Sequence, residues 1–321
     1  MNINIGIKTA VKRGIAIGMA ATSIFLGTTS ISTLAAATES KELVIDEWKN
    51  INDSTYTSTQ GMCMDNKNNV YVAKINNKNL QVQIYKITSK GTKSKVIHKN
   101  NELGHANDMT YCSANGYIYV ATGGDNNLNP SYDVIAFDPS RKDSDGSYAI
   151  VGKYKVPQLS KAPSGIAYDS KYNVFYIKKG KEVYVGNFKK GKFESYCNKT
   201  LNYGSHDKYI NQGITAYNGK IYVPLWNGSG KNVIRTYKVT KKSNTSYLFE
   251  KESIKTYDDN SVKEDIYEIE AVDFSKSGQM YFVTNGKNND FIVKVSYLVL
   301  SVLSEKANLE NFESLEHLRN M

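Results

Sequence analysis

One unit returns five times along this chain. Its copies open at Gln60 (QGMCMDNKNNVYVAK), Asn107 (NDMTYCSANGYIYVATGG), Ser164 (SGIAYDSKYNVFYIKK), Gln212 (QGITAYNGKIYVPLWNG) and Glu270 (EAVDFSKSGQMYFVTNG), with starts 47, 57, 48 and 58 residues apart. Each copy reads as a strand, a turn rich in Asn, Gly, Lys and Ser, and a second strand with an aromatic at a fixed place: Tyr71, Tyr119, Tyr176, Tyr222 and Tyr281. Two further strand-like segments fit between copies, such as LQVQIYKI with SKVIHK and NVIRTYKV with YLFEKESIKTY. Four short strands in a period of roughly fifty residues make the blade of a β-propeller. The expected fold is therefore all-β, a five-bladed propeller, or a six-bladed one if a blade is cryptic.

The fifth unit supplies only three strands after Glu270, ending in DFIVKVSYL, while KELVIDEWKN stands spare before the first repeat. The arithmetic predicts that Glu42–Lys49 completes the last blade and closes the ring. The innermost strands must let neighbouring blades approach, and their aligned positions Gly61, Gly165, Gly213 and Ala271 are small. Apolar Met62, Met109, Ile166, Ile214 and Val272 are expected between blades. Asp108 and Asp273 break this pattern. A carboxylate there is costly unless it is hydrogen-bonded or holds a cation.

Outside the repeat, the N-terminus has the order of an export signal. Lys8, Lys12 and Arg13 precede an apolar stretch from Ile15 to Leu26, and Ala35-Ala36-Ala37 fits a cleavage site. This divides the chain into a secretory leader over residues 1–37, a propeller over 38–300 and an amphipathic helical tail over 301–321, where Leu309, Phe312, Leu315 and Leu318 recur at helical spacing. The expected product is extracellular, associated with the cell wall, monomeric and without a membrane span once the leader is cut. Losing the three leader cations takes the net charge from +10 to +7, a balance that suits anionic polymers. The absence of a dense Lys/Arg run argues against nucleic acid. Three cysteines, Cys63, Cys112 and Cys197, cannot form a disulfide framework and read as small buried fillers. No familiar hydrolase, zinc-protease or nucleotide-binding motif occurs.

Propeller ligands sit where the innermost strands begin. A polar ring is expected there from Gln60, Asn107, Ser164, Gln212 and Glu270, with His105, Asp108, His206, Asp207, Tyr267 and Glu268 around it. Loops between second and third strands add Asp125, Trp226, Asn227 and Asn285. Asn107, Asp108, Glu268 and Glu270 offer the hard oxygens of a Ca²⁺ site. His105 with Asp108 or Glu270 offers a general acid–base pair. Trp226, Tyr132 and Tyr267 are candidate platforms for a sugar. A water-filled channel mouth would be polar without any of these roles.

QGMCMDNKNNVYVA and SGIAYDSKYNVFYI resemble the blades of NHL and SMP-30/gluconolactonase-type propellers, although Thr59-Gln60-Gly61-Met62 stands where those lactonases carry Glu-Gly-Pro. GHANDMTY, NQGITAYNGKIYV and EIEAVDF resemble helveticin-J-type secreted bacteriocins. The TQG and NQG openings are similar to those of glutaminyl cyclotransferases, whose Gly-Glu-Gly is replaced here by Ala106-Asn107-Asp108. The expectation from the sequence is a non-enzymatic recognition propeller for a surface glycan or anionic wall polymer, with bacteriocin-like action. Its alternative is a lactonase-, lyase- or cyclotransferase-like enzyme.

Overall fold

Most strands here carry apolar side chains on both faces, so each sheet needs cover on both sides, and a ring of blades provides it. The structure, a computed structural model, describes residues 40–123, 130–257, 266–286 and 289–300. The leader, the tail helix and Asp125 lie outside the described residues, as does the side chain of Tyr267.

Strand β1 (Ser40–Asn50) opens the described chain. The first blade is β2 (Ser58–Met64), β3 (Val70–Ile75), β4 (Val82–Ile87) and β5 (Lys93–Asn100). The second is β6 (Asp108–Cys112), β7 (Tyr117–Ala121), β8 (Val134–Lys142) and β9 (Tyr148–Tyr154). The third is β10 (Gly165–Asp169), β11 (Val174–Lys179), β12 (Glu182–Lys189) and β13 (Lys192–Thr200). In the fourth, the inner strand is split into β14 (Ile210–Asn211) and β15 (Thr215–Tyr217), followed by β16 (Lys220–Trp226), β17 (Asn232–Ser243) and β18 (Ser246–Tyr257). The fifth has β19 (Ile266–Phe274), β20 (Met280–Gly286) and β21 (Phe291–Leu300).

The fourth strand of the fifth blade is β1, antiparallel to β21 from Ser40↔Leu300 to Asn50↔Phe291. The inner strands touch in sequence, β2 to β6 to β10 to β15 to β19 and back to β2, so the ring is closed with five blades. Five apolar clusters fill its five seams. Met109 packs between blades one and two, Ile166 between two and three, and Ile214 between three and four. Val272 packs between four and five, and Met62 between five and one. Each is one of the positions that the repeat assigns to the inter-blade core. The cysteines form no disulfide; Cys63 and Cys112 are buried and Cys197 is half-buried.

The fixed aromatic of each blade faces the inner strand. Tyr71, Tyr119, Tyr176, Tyr222 and Tyr281 lie directly across from Cys63, Thr110, Ala167, Thr215 and Asp273. Small residues on the crowded axial strand thus leave room for a large one on the next strand out.

Closure by β1 makes a direct prediction. Deleting Thr38–Asn50 leaves β21 as an open edge with unpaired backbone groups, and Trp48 no longer packs on Tyr281. The melting temperature should fall by roughly 10 °C or more, with aggregation on heating. Removing 304–321 should leave it in place. Equal melting of parent and N-terminal deletion by calorimetry would refute this role for β1.

Candidate functional site

The axis of a propeller is lined by edge strands, so each inner strand turns unpaired backbone N–H groups towards it. Two aspartates answer that need. Asp108 Oδ1 accepts the N–H of Met109 at 2.9 Å, and its Oδ2 accepts Ile166 N–H at 2.9 Å and Ile214 N–H at 2.8 Å. One side chain of blade two thereby holds blades three and four. Asp273 of blade five accepts Met64 N–H of blade one at 2.7 Å, Phe274 N–H at 2.8 Å and the Thr215 hydroxyl of blade four at 3.1 Å. Close approach is why Gly61 and Gly213 have no side chain. A Cβ at Gly61 would lie 2.7 Å from Asp108 Cα, and one at Gly213 would lie 2.8 Å from Asp108 Cγ.

These contacts correct two expectations. Asp108 is not a free acid–base group beside His105, because backbone donors occupy both its oxygens. Nor do Asp108, Glu268 and Glu270 gather as one Ca²⁺ site with Asn107, whose Nδ2 donates to Ser164 O at 2.8 Å. No cluster of three or more His, Cys, Asp or Glu able to hold a metal occurs among the described residues.

The glutamates form a site of a different kind. In blades one, four and five the inner strand carries an extra residue around Gln60-Gly61, Gln212-Gly213 and Glu270, while blades two and three stay in regular register. Such bulges re-aim side chains, and all three polar residues end up buried near the start of the strand. The side chains of Glu268 and Glu270 come within hydrogen-bonding reach of each other, an arrangement that suits one protonated and one ionised carboxyl. Gln212 Nε2 donates to Glu268 Oε1, and Asn285 Nδ2 donates to Glu270 Oε1. Asn285 is fixed in turn by the N–H of Thr59, which donates to its Oδ1 at 2.6 Å. Burial pushes the Glu270 carboxyl well above the usual range, and the Glu268 charge adds to the effect. Glu268, at the more open end, is raised by burial and eased back by its partners.

Two buried lysines complete the surroundings. Lys178 donates to Asn211 Oδ1 at 2.7 Å and Ser164 Oγ at 3.3 Å. Burial pulls it down to about 7, against the attraction of Asp108. Asp108 itself is pushed up to about 8 by burial, opposed by its three N–H donors and Lys178. Lys74 pairs with Asp290 at 2.6 Å and donates to Ile51 O at 3.0 Å, tying blade one to blade five. Neither lysine stands out in the sequence, since each sits in a strand that otherwise reads as apolar.

The other sequence candidates scatter. His105 sits in the tight turn before β6, its backbone N–H bonded to Thr122 O at 2.9 Å. His206 lies on the connection between blades three and four, its ring 4.9 Å from Tyr209 and its pKa lowered by burial and by Arg235. Asn227 Oδ1 caps the N–H groups of Ser229 and Lys231, both at 2.9 Å, which is a turn-forming role. Trp226 is half-buried, and its backbone pairs with Ile210 and Asn232. Tyr132 packs against the core between blades one and two, with Lys153 Nζ 5.5 Å from its ring centre. No aromatic platform is assembled from Trp226 and Tyr132.

No protein-family model matches the chain, and no curated protein matches its sequence. Solved structures do align with it. Virginiamycin B lyase from Staphylococcus aureus shares 15% identity over 80% of this chain and 100% of its own, with a TM-score of 0.38. The soluble aldose sugar dehydrogenase of Escherichia coli shares 8% over 79% and 99%, at 0.41. A gluconolactonase-like protein shares 11% over 80% and 94%, at 0.39. Likeness this distant says nothing of chemistry. It lends the helveticin-like resemblance no support. The propeller itself rests on the strand pairing described above.

Two predictions follow from the axial carboxylates. Asp108→Ala leaves three buried N–H groups without an acceptor and should cost roughly 3 kcal/mol or more, read as a lower urea midpoint. Exposed Asp143→Ala should cost almost nothing, and equal midpoints for the two variants would refute the role given to Asp108. The second concerns pH. By area Asp273 is only half-buried, but it lies among three inner strands, and that burial pushes it up to about 6, while Glu270 is raised further above its ordinary value. The folded protein therefore holds protons that the unfolded chain releases near pH 4. The stability these two groups contribute should be greatest at about pH 4 and below and decline from there upwards through the folded values. Glu270→Gln should flatten that decline in denaturant titrations, and an unchanged slope would count against a raised Glu270.

Proposed function

We propose that the channel mouth is a general acid–base active site of lactonase or lyase type, with Glu268 and Glu270 as the proton-transfer pair. One observation carries this reading: two carboxyls meet in a buried setting that raises both of them, and two amides fix their orientation. A carboxylic acid kept protonated near neutral pH can give a proton to a leaving oxygen, while an ionised partner can take one from water or from a carbon beside a carbonyl. In hydrolysis of a cyclic ester, the base would draw the proton from a water adding to the ester carbonyl, and the acid would protonate the alkoxide that leaves as the acyl C–O bond breaks. In elimination, the base would take the proton from the carbon beside the one bearing the ester oxygen, a C=C bond would form, and the acid would protonate the carboxylate that leaves as the alkyl C–O bond breaks. Gln60 and Asn107, buried near the starts of their inner strands, supply neutral polar groups for a small uncharged substrate.

A mouth built on carboxyls fits an anionic wall polymer less well, because each added negative charge would meet Glu268. Export through the leader belongs to the same proposal and places the reaction outside the cell. Among the described residues no helix is long and apolar enough to cross a membrane.

The test is a screen of lactones and cyclic depsipeptides, with acid release followed in a pH-stat and new double bonds by ultraviolet absorbance. The expected result is turnover by the parent and its loss, by about 10²-fold or more, in Glu270→Gln and Glu268→Gln proteins that still melt cooperatively. No turnover of either substrate class, or undiminished turnover by both variants, would overturn the reading.

A further inference from the structure

The charge of this protein is not spread round the ring. Between Lys153 and Tyr257 there are 20 Lys/Arg against 6 Asp/Glu, whereas the rest of the chain has 21 against 25. The segment thus carries +14 and the remainder −4, and it runs from the end of β9 through blades three and four. Only one of its 20 cations, Lys178, is fully buried.

Topology concentrates a large share of the rest on one face. Inner strands start at the mouth, so the first and third turns of each antiparallel blade lie at the opposite end. In blade three those turns carry Lys171 and the run Lys189-Lys190-Gly191-Lys192. In blade four they carry Lys220 and the far end of the long β17–β18 hairpin, with Lys238, Lys241 and Lys242. Lys189 and Lys220 reach Glu194 at 3.9 Å and Glu252 at 2.6 Å. Among the described residues, no ion pair within 4.0 Å is formed by Lys171, Lys190, Lys192, Lys238, Lys241 or Lys242.

The lysines at the seam are also held close together. Lys220 stands directly across from Lys238 in the β16–β17 ladder, a like-charge pairing that costs stability. Lys171 folds over Gly219, where a Cβ would lie 2.8 Å from its Nζ. Its ammonium lies 5.2 Å from the ring centre of Tyr172, whose hydroxyl donates to Val239 O at 3.0 Å. Tyr172 meets Tyr247 edge-on at 6.0 Å, and Lys241 lies 5.9 Å from the Tyr247 ring. Two tyrosines thus anchor lysines from both blades over one seam.

We propose that this face of blades three and four, opposite the mouth, docks on a linear polymer of repeated phosphate groups. The cations are almost all lysines, and Arg235, the one arginine of the segment, is tied to Tyr203 O at 2.7 Å. Ammonium groups on flexible stems suit many loose contacts to a repeating anion, whereas bidentate recognition of a single group calls for arginine. Nucleobases would need exposed rings to stack on, and the only large aromatic exposed among the described residues is Tyr196, on the outer strand β13. The phosphate backbone alone is what the face matches. This docking is independent of the chemistry at the mouth.

The experiment is retention of the whole protein on immobilised inorganic polyphosphate across a salt gradient, beside single-stranded DNA of equal phosphate content. Two charge-reversed variants are compared. One carries Lys190→Glu, Lys192→Glu, Lys241→Glu and Lys242→Glu; the other carries Lys67→Glu, Lys78→Glu, Lys90→Glu and Lys276→Glu on blades one and five. All eight lysines are exposed, and both variants change net charge equally. Polyphosphate should retain the parent at low salt and release it as salt rises, the first variant should lose retention, and the second should keep most of it. Absence of retention, equal loss in both variants, or markedly tighter hold by DNA than by polyphosphate would each overturn the proposal.

Discussion

The arrangement depends on the satisfaction of backbone N–H groups along the axis. Five inner strands converge with no further strand to pair with, and an unpaired buried N–H costs about as much as a lost hydrogen bond. Water in the channel could serve some of them. Asp108 and Asp273 serve others with fixed oxygens, and because each reaches across to other blades, it also sets where those blades stand. Glycine at Gly61 and Gly213 is the complement of this arrangement, since the space a Cβ would need is taken by Asp108. Axial packing, carboxylate placement and small residues are one constraint seen from three sides.

The same constraint separates two kinds of acid in the channel. Asp108 and Asp273 are surrounded by N–H donors and hold the ring. Glu268 and Glu270 face each other, with amide donors on the flanks, and burial raises both. The difference arises from strand register. Asp108 sits on a regular strand whose side chain points along the axis towards neighbouring backbone, whereas Glu270 is the extra residue of a bulge and swings towards its own strand-mate. A shift of one residue in register thus decides whether a carboxyl meets backbone donors or a second carboxyl.

Much of this was legible in the sequence. The repeat pointed to five blades with a sixth left open, the spare segment KELVIDEWKN announced the closing strand, and Asp108 and Asp273 stood out as carboxylates in apolar columns. Hydrogen bonding, one of the two ways to make such a carboxylate tolerable, is what the structure shows. The partnerships of Gln212 with Glu268 and of Asn285 with Glu270 were not legible, because they join different blades or depend on bulges that leave no local signature. Lys74 and Lys178 were hidden for a similar reason: a buried lysine is recognised by its partner, and Asp290 lies 216 residues from Lys74. The basic half of the ring was present in the sequence but spread over about a hundred residues, beyond the reach of a search for short dense runs.

Closure by β1 also orders events in time. The strand that completes the last blade is the first propeller strand to be synthesised, so it must wait for the whole ring before it finds β21. Joining ends so far apart carries a loop-closure entropy on the order of 5 kcal/mol, which the earlier blades reduce by assembling and bringing the ends near each other. Until then the unfinished ring displays two adhesive borders, the waiting strand and the open edge of the final sheet. Neighbouring molecules at the same stage could exchange these borders and link into chains. Slow emergence of one molecule at a time, as through a translocation pore, favours the internal partner over the foreign one.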